Sequence, residues 1–132
     1  MGKTISENIR LFRLNVEVGD LERAGEFYGR LLGEAGRPQM GARLYFSAGD
    51  VTLQVVEMAQ PQLAAKALYF AVGDLDAAHA RALALDCLSE DLVHGTSAGD
   101  PVVRPWGERS FYANDPWGNP LCFVEEGTIY EG

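Results

Sequence analysis

Residues 105–124 read PWGERSFYANDPWGNPLCFV, and this stretch decides the fold. Residues 110–114 form a short segment that is rich in aromatic side chains, which suits a pleated, half-buried strand. Asp115-Pro116-Trp117-Gly118 then supplies a turn, because proline presets φ at the second turn position and glycine accepts a positive φ. Residues 121–124 form an apolar run of strand length. The stretch therefore predicts a β-hairpin.

A tetrapeptide, Val-Gly-Asp-Leu, occurs twice upstream of this hairpin, at residues 18–21 and 72–75, an offset of 54 residues. Each copy follows a predicted strand, at residues 11–18 and 67–72, and the first strand alternates apolar and polar side chains. Each copy also begins a predicted helix, because Asp20 and Asp74 can accept hydrogen bonds from the free N–H groups of a first turn. The sequence thus predicts two copies of one unit.

Apolar residues mark a stripe on each helix and several further strands. The stripe of the first helix, which Gly33 is expected to end, comprises Leu21, Ala24, Phe27, Tyr28, Leu31 and Leu32. The stripe of the second, predicted to run to about residue 84, comprises Leu75, Ala78, Ala82 and Leu85. Further strands are predicted at residues 38–40, 44–47, 51–56, 91–94, 101–104, 110–114 and 121–124. Because two units cannot make a solenoid, we expect them to bury one shared core.

Several of these motifs together resemble the vicinal oxygen chelate superfamily, which includes glyoxalase I, bleomycin-resistance proteins, fosfomycin-resistance enzymes and extradiol dioxygenases. The resemblance lies in the Asp-Pro-x-Gly-Asn hairpin, in Trp-Gly-x-Arg just upstream, and in Phe27-Tyr28 and Leu31-Leu32-Gly33. The Pro105-Trp106-Gly107 form is closest to the bleomycin-resistance branch. The resemblance implies an α+β fold of two tandem βαβββ modules, residues 9–59 and 65–126, whose curved mixed sheet forms a cup with the helices outside.

Composition and charge exclude several classes of function. The 132 residues carry a formal net charge of −8, whereas nucleic-acid binding requires clustered Lys and Arg. No segment has the order of a signal peptide, and no apolar run reaches membrane-spanning length. Cys87 and Cys122 are too few for a disulfide framework. We expect one cytoplasmic domain over residues 1–132, with a loose lead-in at residues 1–8, free thiols, and no nucleic-acid or membrane partner.

The resemblance also transfers the four positions that chelate a metal ion in metal-dependent members, on the first and last strand of each module. Counted from the repeated motif and the hairpin, these positions hold Arg13, Gln54, Ala67 and Cys122. An arginine cannot coordinate a cation, and an alanine has no donor atom. A glutamine oxygen and a soft thiol are mismatched as the remaining pair. The sequence therefore predicts no metal and no cofactor, unlike the superfamily enzymes that use the ion as a Lewis acid.

Strand parity around these positions predicts which side chains face the cup. They are Arg13, Asn15, Glu17, Thr52, Gln54, Val56, Ala67, Tyr69, Ala71, Ser110, Tyr112, Asn114, Cys122 and Val124. The polar face of the first strand could otherwise simply meet solvent. With Trp106 on the adjoining loop, the predicted ligand-binding residues are Arg13, Asn15, Gln54, Tyr69, Trp106, Tyr112 and Cys122. Trp106 and Tyr112 could stack on a planar ligand, although local packing explains Trp106 equally well.

Four further side chains carry expectations of their own. His79 is predicted to be a surface residue of the second helix, and neither it nor His94 is expected to be a ligand. Trp117, in the turn, is predicted to be a surface or dimer contact. Arg13 would be costly to bury unpaired, so we expect it to pair with Glu17, another acid of the cup, or an anionic group of the ligand. An anionic ligand would differ from the cationic drug of the bleomycin binders.

The favoured hypothesis is a metal-independent small-molecule-binding protein of the glyoxalase/bleomycin-resistance type. It would sequester an antibiotic or another aromatic metabolite, and the resemblance implies a homodimer. The alternative is a divergent lyase, isomerase or dioxygenase-like enzyme of the same superfamily. A metal-free enzyme would need a base or nucleophile such as Glu17, Tyr112 or Cys122, although no nucleophile–base pair is visible and no catalytic residue is assigned. A third hypothesis is a non-catalytic domain that binds a protein partner.

Overall fold

A computed structural model describes residues 12–63 and 67–130 of the chain. Its elements in chain order are β1 (Arg13–Val18), α1 (Leu21–Leu32), β2 (Arg37–Gln39), β3 (Arg43–Ala48), β4 (Val51–Glu57), β5 (Leu68–Val72), α2 (Leu75–Ala84), β6 (Leu92–Val93), β7 (Thr96–Ser97), β8 (Val102–Val103), β9 (Arg109–Asn114) and β10 (Pro120–Glu125). A short 3₁₀ helix, Glu126–Thr128, follows. The predicted lead-in and the first residues of both predicted modules, 9–11 and 65–66, lie outside the described residues.

The strands form two four-stranded sheets with the same arrangement. The order is β1-β4-β3-β2 in the first sheet and β5-β10-β9-β8 in the second. In each, the strand before the helix pairs in parallel with the last strand, and the remaining neighbours are antiparallel. This mixed pattern follows from the helical crossover, because a parallel pair needs a long connection and a hairpin does not. The predicted α+β fold with two modules and a cup-like sheet is confirmed.

Both helices begin where the repeated motif predicts. The carboxylate of Asp20 accepts from the Arg23 N–H at 3.1 Å, and that of Asp74 accepts from the Ala77 N–H at 3.0 Å. Gly33 ends α1 in the left-handed conformation, at φ 76°, and its N–H donates to the Gly29 carbonyl. The stripes of both helices bury their apolar side chains against the sheets. No helix among the described residues is long and apolar enough to cross a membrane.

One continuous core spans the two modules. Its largest fully buried side chains include Tyr28, Phe46, Phe111, Phe123, Leu31, Leu75 and Leu121. On neighbouring strands, the Phe123 ring stacks on Phe70 and on Phe111 with centroids 5.1 and 5.2 Å apart. The stack orients these side chains toward α2, so the opposite face of the second sheet is left for a site.

The Asp-Pro hairpin also ties the two modules together, through Asp115. This buried carboxylate accepts from the N–H groups of Trp117 and Asn119 and from the Asn119 side chain, which holds the turn. Its Oδ2 also accepts from the Tyr28 hydroxyl of α1 at 2.7 Å. Asn119 in turn donates to the Glu17 carbonyl of β1. Asp115 therefore acts beyond its own turn, as a junction between modules.

Trp117 is half-buried and is not the surface residue that the sequence predicted, and its role as a dimer contact stays a prediction. Its indole is half-buried against the core and packs so closely on Gly19 that a β-carbon there would lie 2.8 Å from Nε1. The Arg23 guanidinium lies 5.6 Å from the centre of the ring. The turn can present Trp117 in this way because Asp115 anchors it to α1. The side chain is a contact between the modules of one chain.

The second module contains a hairpin that the sequence analysis missed. The strand predicted at residues 91–94 is only Leu92–Val93, and it pairs with a second short strand, Thr96–Ser97. His94 and Gly95 form the loop, and both have positive φ, at 50° and 79°. Two such residues make the tight turn that matches strand twist, so the chain reverses instead of extending. The strand predicted at 101–104 is likewise shorter, Val102–Val103.

Candidate functional site

Each sheet has one face turned away from the helices, and these two faces carry the predicted site. The first cup face comprises Arg13, Asn15, Glu17, Arg37, Gln39, Arg43, Tyr45, Ser47, Thr52, Gln54 and Val56. The second cup face comprises Tyr69, Ala71, Val102, Arg104, Ser110, Tyr112, Asn114, Pro120, Cys122 and Val124. Residues paired across strands point to the same side, so the register defines both sets.

The centre of the first cup face is polar. The Gln54 side-chain N–H donates to the Asn15 side-chain oxygen, and Gln54 is only 8 % exposed. Tyr45 lies opposite Gln54 in the register, and its hydroxyl accepts from Arg13 Nη1 at 3.1 Å. The Arg13 guanidinium also lies 5.0 and 5.8 Å from the ring centres of Phe12 and Tyr45. These aromatic contacts fix an exposed cation in place.

The expected pairing of Arg13 with Glu17 is wrong. Glu17 Oε1 accepts from the Gln62 N–H at 2.8 Å, because the chain after β4 returns to this end of β1. Arg13 is exposed, so solvent stabilises its charge and burial demands no partner. Among the described residues, the Tyr45 hydroxyl is the one hydrogen-bond acceptor of the Arg13 side chain.

The centre of the second cup face is aromatic. Tyr69, Cys122 and Tyr112 lie side by side on β5, β10 and β9. Tyr69 is 66 % exposed, whereas Cys122 is 1 % exposed beneath its neighbours. Burial raises the pKa of the Tyr112 hydroxyl, and the negative charge that Cys122 acquires when it ionises is a smaller cause. Burial also raises the pKa of Cys122 to about 11, although hydrogen bonds from Tyr112 and Ser110 and the charge of Arg104 oppose the rise. Near neutral pH Cys122 is a thiol.

A buried arginine, Arg104, lies beside this aromatic row, and the sequence analysis missed it. It is 2 % exposed, and its guanidinium lies 5.5 Å from the centre of the Tyr112 ring. Its N–H groups donate to the Ser110 hydroxyl and to the carbonyls of Ser97, Ala98, Asp100 and Ser110, at 2.9 to 3.3 Å. All five acceptors are neutral. The residue braces the loop before β8 and brings a positive charge to the cup.

Two hollows lie on the second cup face and share Tyr69 as a common wall. The hairpin hollow, about 260 Å³, lies under β6 and is lined by apolar and aromatic residues together with Ser89, Asp91 and Asn114: Ala67, Tyr69, Ser89, Asp91, Leu92, Val93, Ala98, Tyr112, Ala113, Asn114 and Pro120. The tail hollow, about 310 Å³, lies under the last residues of the described chain and is lined by Tyr69, Phe70, Ala71, Glu108, Val124, Ile129 and Tyr130. Their aromatic and aliphatic walls suit the flat, apolar part of a ligand.

A third hollow lies at the edge of β5 and is larger, about 370 Å³. Ser47 of the first cup face and Tyr69 and Ala71 of the second line it, together with side chains of the core. Arg13, Asn15 and Gln54 line none of these three hollows. Within the described part of one chain, the predicted binding residues of the two modules therefore do not meet in any of these three hollows.

Trp106 is held at the rim of the second cup face by local contacts. Its indole N–H donates to Glu108 Oε1 at 2.8 Å, and His94 meets its ring edge-on. Glu108 Oε2 accepts from the Tyr130 N–H, which connects the rim to the tail hollow. Trp106 lines neither the hairpin nor the tail hollow. Local packing accounts for its position, and its part in ligand binding stays a prediction.

The two histidines lie where the structure gives each of them a place in packing or in a turn. His79, predicted to be a surface residue, is half-buried: its Nε2 lies 3.0 Å from the Gly99 carbonyl and its ring meets Phe111 edge-on. The helical stripe could not show this, because the loop that covers His79 comes twenty residues later. His94 is exposed in the tight turn between β6 and β7. Among the described residues, no three His, Cys, Asp or Glu side chains come together in a way that could hold a metal ion.

The residues at the four chelating positions do not fit a divalent metal ion. Arg13 brings a positive charge, and its nitrogens have no lone pair to donate. Ala67 lines the hairpin hollow without a donor atom. Gln54 is already bonded to Asn15, and Cys122 holds its proton near neutral pH. These four side chains therefore lack the negative charge, the number of donor atoms and the ligand hardness that Mg, Mn, Zn or Fe(II) requires.

Comparison with solved structures shows the same fold. A glyoxalase/bleomycin resistance protein from Albidiferax ferrireducens T118 is 24% identical, with a TM-score of 0.71 over 87% of this chain and 97% of that one. Oxidase ChaP-H1 is 21% identical, with a TM-score of 0.74 over 89% and 95%. A lactoylglutathione lyase from Agrobacterium tumefaciens is 20% identical, with a TM-score of 0.64 over 88% and 92%.

No protein-family model matches the sequence, and a comparison with curated proteins likewise finds no match. The proteins that share the fold at this level of identity are named as a glyoxalase/bleomycin resistance protein, an oxidase and a lyase. The fold alone therefore does not indicate which of these activities this chain has. The function has to be inferred from the side chains of the two cup faces.

Proposed function

We propose that this chain is a metal-independent small-molecule-binding protein of the glyoxalase/bleomycin-resistance type. One observation carries the proposal: the positions counted as chelating hold Arg13, Gln54, Ala67 and Cys122, while side chains of the second cup face line two hollows with tyrosines, aliphatic groups and a few polar groups. Apolar walls with a few polar groups are what small-molecule pockets share. The ligand would be an aromatic metabolite or antibiotic that the protein sequesters.

We further propose that two copies of the chain complete the site as a homodimer. Arg13, Asn15 and Gln54 of the first cup face line neither the hairpin nor the tail hollow, and the central side chains Arg13, Asn15 and Tyr69 are exposed. Exposed apolar side chains near the second face, Leu92 and Val103, would be covered by a partner. The first cup face of one protomer would then close over the second cup face of the other.

The enzyme alternative finds less support in these groups. A nucleophilic cysteine acts as the thiolate, whereas the pKa of Cys122 is raised to about 11. Glu17, the candidate base, accepts a backbone hydrogen bond from Gln62 at the end of β1. The raised pKa of Tyr112 keeps its proton on the hydroxyl, which suits hydrogen bonding to a ligand. We therefore favour binding over turnover.

A screen of the purified protein, before any treatment with chelator, tests the binding function. Elemental analysis is expected to show no stoichiometric metal, and aromatic members of a small-molecule library should raise Tm, because a ligand that binds only the folded state stabilises it. Tyr112→Ala should abolish the shift, whereas Leu83→Ala, on the exposed side of α2, should leave it intact. Retention of stoichiometric metal over several preparations would overturn the proposal.

A mixed dimer tests whether the cups form between chains. Protomers carrying Arg13→Gln and Tyr112→Ala would be given different tags, co-expressed and purified as a heterodimer. If each cup combines faces of two protomers, one cup is intact and one is doubly altered, so half the sites should bind with the original affinity. If each cup belongs to one protomer, no site should recover that affinity.

A further inference from the structure

The first cup face is basic in a protein that is acidic overall. Arg13, Arg37 and Arg43 lie on this face, and Glu17 is its one carboxylate. The complete chain has a formal net charge of −8. Arg37 pairs with Glu34 at 3.6 Å, but both side chains are substantially exposed, so their mutual attraction is screened. The net charge of this face is therefore positive, whereas the net charge of the whole chain is negative.

Two arginines of the cup have only neutral partners among the described residues. Arg13 donates to the Tyr45 hydroxyl and lies against two aromatic rings, and no described carboxylate is within ion-pairing distance of it. Arg104 on the second face is buried and bonds only to a hydroxyl and carbonyl oxygens. Removing a cation from water is costly unless other groups compensate its charge. The buried Arg104 thus favours a negative charge nearby, whereas Arg13 is exposed and would gain from one through direct hydrogen bonds.

The positions of these arginines separate their roles. The N–H groups of Arg104 are engaged and the side chain is 2 % exposed, so it acts through its field and braces Tyr112. Arg13 is exposed and held between Phe12 and Tyr45, with N–H groups left over. A planar guanidinium held in this way presents a fork that fits a carboxylate with two parallel hydrogen bonds.

We propose that the ligand is an organic anion with a planar aromatic body and a carboxylate. The aromatic body would lie on Tyr69 and Tyr112 of the second cup face, and the carboxylate would meet Arg13 of the first. The inference rests on the proposed binding function and specifies its ligand class. A cationic drug would instead meet Arg13 and Arg104 with unfavourable charge.

Three probes of one shape and different charge test this ligand class: 2-naphthoic acid, 2-naphthamide and 2-naphthylmethylamine. Calorimetric titration near neutral pH is expected to show the acid binding at least about tenfold more tightly than the amide, with the amine weakest. The preference should shrink as salt is added. Non-specific attraction to an acidic protein would produce the reverse order, because it favours the amine.

Matched arginine variants assign the preference to the cup. Arg13→Gln should weaken the acid about tenfold and leave the amide unchanged, since only the acid uses the guanidinium. Arg30→Gln, an exposed arginine of α1 away from both cup faces, should change neither. Arg13→Lys keeps the charge but loses the fork, so it should restore only part of the preference.

Several results would overturn the inference. These are equal affinity for acid and amide, tighter binding of the amine, equal effects of Arg13→Gln and Arg30→Gln, or no binding of any probe at about 1 mM. The proposed function is decided separately by the screen and the metal analysis. A library in which neutral aromatics bind and acids do not would remove the anion and keep the binding protein.

Discussion

The two modules share their core-facing design and differ on their cup faces. Asn15, Gln54 and Tyr45 form the central row of the first face, and Tyr69, Cys122 and Tyr112 occupy the matching row of the second. A tyrosine therefore stands at the same place in both, each with an arginine within 6 Å of its ring. The remaining places differ: they hold two amides in the basic first face, and a thiol and a phenol in the aromatic second face.

This difference shows which physical demands act on each side of a sheet. The side toward the helices must fill a close-packed core, so both modules keep aliphatic and aromatic residues there. The cup side meets no such demand and can be specialised. One module then supplies charge and the other supplies apolar area, which together suit a ligand with two unlike ends.

The largest expected effect comes from breaking the junction that sets one module against the other. Asp115→Ala would remove the carboxylate that accepts from the Tyr28 hydroxyl, the Asn119 side chain and two backbone N–H groups. We expect a loss of about 3 to 5 kcal/mol in the free energy of unfolding, or failure to fold. Tyr28→Phe removes one of these bonds and should cost about 1 to 2 kcal/mol. Urea unfolding of both variants measures this, and a Tyr28→Phe protein as stable as the original would refute the junction.

Truncating the two matching tyrosines sharpens the comparison of the faces. Tyr112→Ala removes an aromatic wall of the hairpin hollow, so the affinity for 2-naphthamide should fall about 10- to 100-fold. Tyr45→Ala removes the support of Arg13, so it should lower the ratio of acid to amide affinity and hardly affect the amide. Titrations with both probes measure the two effects. Identical behaviour of the two variants would contradict the division of labour.

Alkaline pH should act mainly through the second module. Burial raises the pKa of Cys87 and Cys122 from 9.0 to about 11, and it also raises the pKa of Tyr28 and Tyr112. A raised folded-state pKa contributes stability that is complete below the unfolded pKa and is lost as pH rises through the folded one. The free energy of unfolding should therefore be constant up to about pH 9 and should decrease between about pH 9 and about pH 11.

Cysteine variants check the origin of this fall. Cys122→Ala should make the loss between about pH 9 and pH 11 smaller by about 1 to 2 kcal/mol, because one buried thiol no longer ionises on unfolding. Gln54, the matching residue of the first module, has no proton to lose in this range. Urea midpoints across the pH series provide the measurement. An unchanged slope in the variant would show that Cys122 does not contribute.

The smallest effects are expected at the two helix caps, and they should be equal. Asp20→Ala and Asp74→Ala each remove one hydrogen bond of about 3 Å to a first-turn N–H, at about 1 kcal/mol each. Ligand affinity should not change, since neither carboxylate lies on a cup face. Denaturant midpoints and one titration per variant test this. Unaltered midpoints would mean that the caps contribute nothing.

Local signals in the sequence accounted for the parts of the fold that depend on neighbours along the chain. The helices begin at the aspartates of the repeated motif and α1 ends at Gly33, because capping needs only residues a few positions apart. The hairpin around Asp115 was equally readable from its turn residues. The hairpin at His94 was not, because a histidine at positive φ gives a weaker signal than Asn-Gly.

The site depended on contacts that the sequence does not display. Arg104 and Tyr45 belong to the cup through the register of strands far apart in the chain, and neither β3 nor the chain next to β8 was considered for its facing residues. The two tyrosines lie 67 residues apart, whereas the repeated motif is offset by 54, so the motif alone could not match them. The partner of Glu17 depended on where the chain returns after β4, which no local pattern specifies.

A titration of 2-naphthoic acid into chelator-treated protein tests the central claim most directly, when it is repeated after Zn²⁺, Mn²⁺ or Fe²⁺ is added. The account predicts saturable binding whose Kd is the same with and without metal, because Arg13 and the tyrosines supply the contacts. Binding that appears only after a metal is restored, or that never saturates, would contradict it.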